Sequence, residues 1–157
     1  ANSGCLRNCP YQSFHDNLVA HDAEIDEIKN ARGFMPHLCW KLYGDESKRV
    51  EFLRASWIRP EDLHLYERYV PVFKLATRQH SHPRMVIGAY CAGKYRGNLL
   101  DLMEPSFSSI FSPYAIDNQR FPANWHDIAG DCATNCHHCG RCDEVLEQVL
   151  VKQHDPM

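Results

Sequence analysis

Pro71-Val72-Phe73-Lys74-Leu75-Ala76-Thr77-Arg78 is a short apolar run with the length and character of a buried β-strand, and its reading decides the fold. Residues 83–95 follow with helical spacing, placing Met85, Val86, Ala89 and Tyr90 inward and Gly97 where a helix stops. Asn98-Leu99-Leu100-Asp101-Leu102-Met103 is brief and strongly apolar, a strand or the start of a helix. Upstream, residues 50–56 read as extended and partly apolar. Trp57-Ile58-Arg59-Pro60-Glu61-Asp62 then turns into a helix, with Pro60 at a position that needs no donor and two acids where the macrodipole favours them. Leu63, Leu65, Tyr66 and Tyr69 are its expected packing residues. Strand, helix, strand, helix at this pitch predicts α/β architecture, with βα units on a parallel sheet.

The 157 residues suffice for one compact domain with a sizeable core, or for part of a larger one. No repeat, low-complexity segment or long linker divides them, so 1–157 reads as a single α/β domain. Residues 130–153 form a Cys-rich knot and terminal helix within it. A net charge of −3 and a pI near 6.4 show no basic excess, so nucleic acid is not indicated as a partner. No apolar run approaches the ~20 residues needed to span a bilayer, and no basic-then-apolar leader opens the chain. The expectation is a soluble, cytoplasmic protein. The first residue is Ala1 and chemistry-bearing residues begin at once with Cys5, so preceding sequence or a partner chain is expected to complete it.

The most specific chemical signal is Cys132-Ala-Thr-Asn-Cys136-His-His-Cys139-Gly-Arg-Cys142, four thiols within eleven residues before a helix-forming run. Such spacing lets one tight loop deliver four thiolates to a single centre, as a [4Fe–4S] cluster or a tetrahedral zinc requires. Disulfides are the less favoured reading, because an i, i+3 pair makes a strained ring and no secretory signal places the chain in an oxidising compartment. Zinc stays open, with His137 or His138 able to replace one thiolate, although zinc sites usually separate two Cys pairs by a dozen or more residues. Compactness favours iron–sulfur. Cys132, Cys136 and Cys139 also spell the C-x3-C-x2-C of radical-SAM chemistry, but Cys142 could fill the fourth position and only fifteen residues follow it.

Gly4-Cys5-Leu6-Arg7-Asn8-Cys9-Pro10 is a second C-x3-C element, after which Tyr11, Phe14, Leu18 and Val19 follow helical spacing. Residues 21–35 read as helix and loop. Cys39 supplies a third thiol, so Cys5, Cys9 and Cys39 are candidate ligands of a second metal site that lacks an evident fourth. A buried, inert Cys39 is an equal alternative. Lys74 and Arg78, at the carboxyl end of the expected strand, are candidates for holding a carboxylate or phosphate on a substrate. Pairing with acids such as Asp62 or Glu67 is the structural alternative. His80 and His82 read as solvated loop histidines. Protease and phosphate motifs are missing: no H-E-x-x-H, no G-x-S-x-G and no glycine-rich phosphate loop occurs. Cys91, inside a predicted helix among apolar neighbours, reads as structural rather than nucleophilic.

Several of these elements together resemble the carboxyl-terminal half of the collagenase-like peptidase family U-thirty-two and its relatives. They are Gly4-Cys5-x3-Cys9-Pro10, Trp57-Ile58-Arg59-Pro60-Glu61-Asp62-Leu63, Phe73-Lys74-Leu75, Arg78, Gly97-Asn98-Leu99-Leu100-Asp101-Leu102 and the terminal Cys knot. The similarity covers roughly residues 2–152. It implies a partial (β/α) barrel of the TIM type and, as in many members, a [4Fe–4S] cluster. Some members are described as peptidases and others act in oxygen-independent hydroxylation of ubiquinone precursors or RNA bases. The expectation is therefore an iron–sulfur oxidoreductase or a subunit of one, completed by the missing barrel half or a protein partner, acting on a small-molecule or protein substrate. A non-catalytic scaffold pinned by zinc or a cluster, and a peptidase, are the alternatives. Family clusters usually draw on dispersed cysteines, which Cys5, Cys9 and Cys39 resemble with one member missing. Two clusters are then conceivable, with Cys132, Cys136, Cys139 and Cys142 as the first choice.

Overall fold

A computed structural model describes residues 1–20, 38–78, 80–132 and 135–153; the helix and loop expected over 21–35 lie outside them. Near the amino terminus, Cys9 N–H bonds to the Leu6 carbonyl across a turn in which Asn8 takes a left-handed φ of 57°. Helix α1 (Gln12–Ala20) begins just beyond Pro10, as the sequence predicts. Its expected inward residues Tyr11 and Phe14 are nonetheless about half exposed.

Helix α2 (Leu38–Gly44) carries the fully buried Tyr43. Where residues 50–56 read as extended, the chain instead forms a 3₁₀ helix over Glu46–Phe52, followed by turns. The Asp45 carboxylate accepts from both the backbone N–H and the hydroxyl of Ser47, closing the first turn. Val50 and Leu53, three residues apart, then share the inward face of a three-residue turn. The helix expected at Pro60 is present as a 3₁₀ helix, Pro60–Tyr66. Its buried residues are Pro60 and Asp62, whereas Tyr69 is exposed.

The run 71–78 forms no strand, and Val72 is 79 % exposed. Its backbone is engaged by the amino-terminal segment instead. The Asn2 side chain, fully buried, donates to the carbonyls of Ala76 and Leu102 and accepts from the Ala76 N–H. Ala1 adds bonds from its amine to the Lys74 carbonyl and from the Ile58 N–H to its own carbonyl. Ser3 makes a parallel bridge with Glu104. Segments 1–4, 58, 74–76 and 102–104 thus meet at one place, through single bonds and one amide side chain rather than a ladder.

Helix α3 (Pro83–Ala92) buries Val86, Ala89 and Tyr90 as predicted, but Gly93, at φ 59°, stops it rather than Gly97. Residues 99–102 form a 3₁₀ helix whose cap is Asn98, accepting from the Leu100 N–H. Helix α4 (Ser108–Phe111) leads into β1 (Tyr114–Ile116), which pairs antiparallel with β2 (Leu150–Lys152), Ala115 facing Val151. This two-stranded ladder is the sheet present among the described residues, so the expected parallel βα pairing is not formed there. Between the strands lie α5 (Trp125–Gly130), α6 (Cys136–Cys139) and α7 (Arg141–Val149). No helix among the described residues is long and apolar enough to cross a membrane.

The core is a chain of rings. Tyr43 meets Phe107 edge-on at 4.9 Å; Phe52 stacks on Trp57, which stacks on Trp125. Each such pair adds roughly 0.5–1.5 kcal/mol beyond the area it buries. One continuous cluster extends from α2 through these rings to Val145 and Val149 of α7. Beside it, the Arg59-Pro60-Glu61-Asp62 turn is tied down as a polar knot. Arg59 binds Asp62 through two parallel bonds of 2.8 and 3.0 Å and lies over the Phe121 ring. Glu61 accepts from the Tyr95 N–H and from the Asn118 amide. The most distinctive sequence motif outside the cysteines therefore has a structural explanation.

Candidate metal centres

Two thiol-lined cavities lie among the described residues, and Cys39 of one and Cys142 of the other pack against the core cluster. Cys132, Cys136, Cys139 and Cys142 all line the larger, of about 160 Å³, together with Arg54 and Arg141. The sequence supplies this convergence through two short helices joined by Gly140, whose φ of 65° turns the chain sharply between Cys139 and Cys142. Cys142 falls at the second position of α7, where the positive end of the helix dipole favours a thiolate. All eight cysteines are free thiols, so no disulfide competes for them.

Arg54 is the participant that the sequence reading missed. Its guanidinium bonds to Glu51 at 2.6 Å and to Asp143 of α7 at 3.1 Å, which fixes it against the cavity. The Glu51-x-x-Arg54 spacing was a visible signal of a paired, positioned arginine, obscured by reading that segment as a strand. Burial pushes the Cys142 thiol up, and Arg54 beside it pulls it part of the way back. For Arg54, burial disfavours the charge, but Glu51, Cys136 and Asp143 outweigh it and hold the guanidinium protonated. This is a cationic wall facing four sulfurs.

The size of the cavity distinguishes possible occupants. A dry cavity near 150 Å³ accepts a benzene-sized guest, so this one accommodates a compact inorganic cluster. A lone zinc would draw four sulfurs to within bonds of about 2.3 Å. Among the described residues, however, no group of three or more His, Cys, Asp or Glu side chains is arranged around one ion. Four thiol donors are the set that either a [4Fe–4S] cluster or a tetrahedral zinc takes. His138, named as a replacement ligand, is exposed and does not line the cavity.

The second cavity, about 20 Å³, is lined by Cys5, Cys9 and Cys39, which come together as the sequence suggested, and by His15. Burial, reinforced by the nearby Cys5 and Cys9, pushes the Cys39 thiol up to about 11. Lys74 and Arg78 are exposed and line neither cavity. The strand end that would have made them a working face is absent, and Asp62, the partner considered for them, pairs with Arg59. His80 is not a solvated histidine: its Nδ1 accepts from the His82 N–H and its Nε2 bonds to the Asp101 carbonyl. Cys91 is exposed on α3, not packed among apolar neighbours.

Fold and cavities together define a mainly helical, thiol-rich protein with two sulfur-lined pockets around an aromatic core. Compared with known proteins, the chain is 31 % identical over 154 residues to an uncharacterized protease of Methanocaldococcus jannaschii. That alignment takes in 95 % of this chain and 44 % of the relative, so the chain spans less than half the relative's length. No family profile matches the chain, and no solved structure matches it.

Proposed function

We propose that the chain holds a [4Fe–4S] cluster on Cys132, Cys136, Cys139 and Cys142 and serves a redox or hydroxylation-type enzyme, either as part of one long chain or as a subunit. The observation that carries this is the convergence of four free thiols on one cavity of suitable size beside a fixed arginine. When bound, such a cluster supplies one-electron transfer. The chain's own residues set the conditions. Arg54 and the start of α7 favour thiolates, Asp143 and Glu51 hold Arg54 in place, and Ile128 helps exclude water from the sulfurs. We further read the chain as part of a (β/α) barrel. The meeting of segments 1–4, 58, 74–76 and 102–104 supports that reading, since barrel strands would approach in this way once further strands joined them.

Anaerobic reconstitution with iron and sulfide tests the proposal. The expected product is a brown protein with about four iron and four sulfide per chain, lost when the four cysteines are replaced by Ala. A colourless protein carrying only zinc would leave the scaffold reading in its place. The relative's name favours peptidase activity as a second reading. Here the exposed Cys91 would be the thiol to test, and peptide hydrolysis abolished by Cys91→Ser but not by loss of iron would establish it.

A further inference from the structure

We propose that the surface formed by residues 68–96 docks an acidic protein partner, through cations that frame exposed apolar side chains. Arg68, Lys74, Arg78, Arg84, Lys94 and Arg96 fall between residues 68 and 100, a stretch without a single Asp or Glu. It carries +6, so the rest of the chain, with the other 11 lysines and arginines and all 20 acids, carries −9. All six side chains are exposed, and among the described residues none of them pairs with a carboxylate. The arginines that the fold itself uses behave differently: Arg49, Arg54 and Arg59 are wholly or partly buried, and each is held by an acid.

Three hydrogen bonds bring the two halves of this stretch side by side. The Tyr90 hydroxyl of α3 donates to the Ile58 carbonyl, the Ile58 N–H to the Ala1 carbonyl, and the Ala1 amine to the Lys74 carbonyl. Tyr69, Val70, Val72 and Ile87 stand exposed among the cations, and the Arg68 guanidinium lies 4.6 Å over the Tyr69 ring. Apolar groups framed by arginine and tyrosine are the composition of a protein–protein contact; a phosphate backbone would leave the apolar groups unused. A nucleic acid is also an extended polyanion, which beyond this stretch would meet the −9 remainder of the chain. A protein confines its acids to a patch, and beyond a Debye length of about 8 Å the rest of the surface is screened from it. The surface includes none of the terminal thiols, so the proposal stands or falls apart from the cluster.

Two labelled probes test this against the full chain: a helical peptide of roughly 20 residues built from Glu and Leu on opposite faces, and a single-stranded RNA of similar length. Fluorescence anisotropy should show saturable binding of the peptide at ~50 mM salt, weakened about tenfold at ~300 mM, with the RNA bound less tightly. Lys74→Glu with Arg78→Glu should weaken peptide binding about tenfold. Val72→Ser should weaken it severalfold while leaving its salt dependence unchanged. Lys48→Glu reverses an exposed cation outside the stretch and should have little effect. Thermal melting checks the fold of each variant; if the first pair melts early, Arg84→Glu with Lys94→Glu, on and just beyond α3, takes its place. Tighter binding of RNA, no binding of the peptide, or an equal loss from Lys48→Glu would overturn the proposal. So would self-association of the chain that the same reversals abolish, since the surface would then be covered by a second copy.

Discussion

Replacing Asn2 with alanine should be among the most destabilising single changes outside the aromatic core. The side chain is fully buried and makes three bonds of 2.7, 2.9 and 2.7 Å to the Ala76 carbonyl, the Leu102 carbonyl and the Ala76 N–H. Its removal strands three backbone groups, each costing about 1–3 kcal/mol if left dry. A water entering the vacated space would satisfy some of them, so about 3 kcal/mol is the working figure, a large part of the ~5–15 kcal/mol typical of a domain. Asn2→Asp separates geometry from packing. A carboxylate there would face two carbonyl oxygens, raising its folded pKa above the unfolded value. Its protonated form, which restores one donor, dominates in the native state at low pH, so relative stability should be greatest below about pH 4 and be lost as pH rises. Urea unfolding followed by tryptophan fluorescence at pH 4 and pH 7 reads both effects. A loss below about 1 kcal/mol for Asn2→Ala, or an Asp variant that tracks Ala at both pH values, would refute the reasoning.

Other perturbations follow from single contacts. In metal-free protein, Arg54→Gln should slow alkylation of Cys142 severalfold at neutral pH, because the guanidinium that lowers its thiol pKa is gone; an unchanged rate, read by peptide mass, would count against the cationic wall. Gly4→Ala would place a methyl 2.3 Å from Phe107 Cε2, a carbon of a fully buried ring, and should cost about 1–3 kcal/mol in thermal unfolding. Asp62→Ala should cost about 3–5 kcal/mol by leaving Arg59 buried and unpaired, whereas the double variant Arg59→Met, Asp62→Leu should recover much of that. Because the folded Cys39 thiol titrates at about 11 rather than 9.0, the native state keeps a proton that the unfolded chain releases first. Metal-free protein should therefore lose stability as pH climbs from 9 towards 11, with a shallower slope in Cys39→Ala.

The gathering of the terminal thiols at one cavity was legible because it is local. Cys132 to Cys142 are close enough in sequence that almost any compact path brings them to one cavity, and Pro60 and Pro83 announced their helices by the one position where proline is tolerated. What failed was the distinction between strand and tight helix over short apolar runs. Val50, Phe52 and Leu53 suit either period, and the Asp45 cap that decides between them lies outside the run. Residues 71–78 looked like a core strand by composition, yet their neighbours provide an amide side chain and a terminal amine rather than a paired backbone. The β1–β2 ladder escaped notice because three-residue strands carry almost no periodic signal.

The Cys-bearing segment is moored at both ends, upstream by Trp125 in the ring stack and downstream by Val145, Val149 and the register of β2 against β1. Much of the order that a free metal-binding peptide must acquire on ligation is thus supplied by the surrounding fold. For the proposed cluster this means that oxidative loss should be a repairable local event, in contrast to small metal-nucleated domains that unravel when their ion departs.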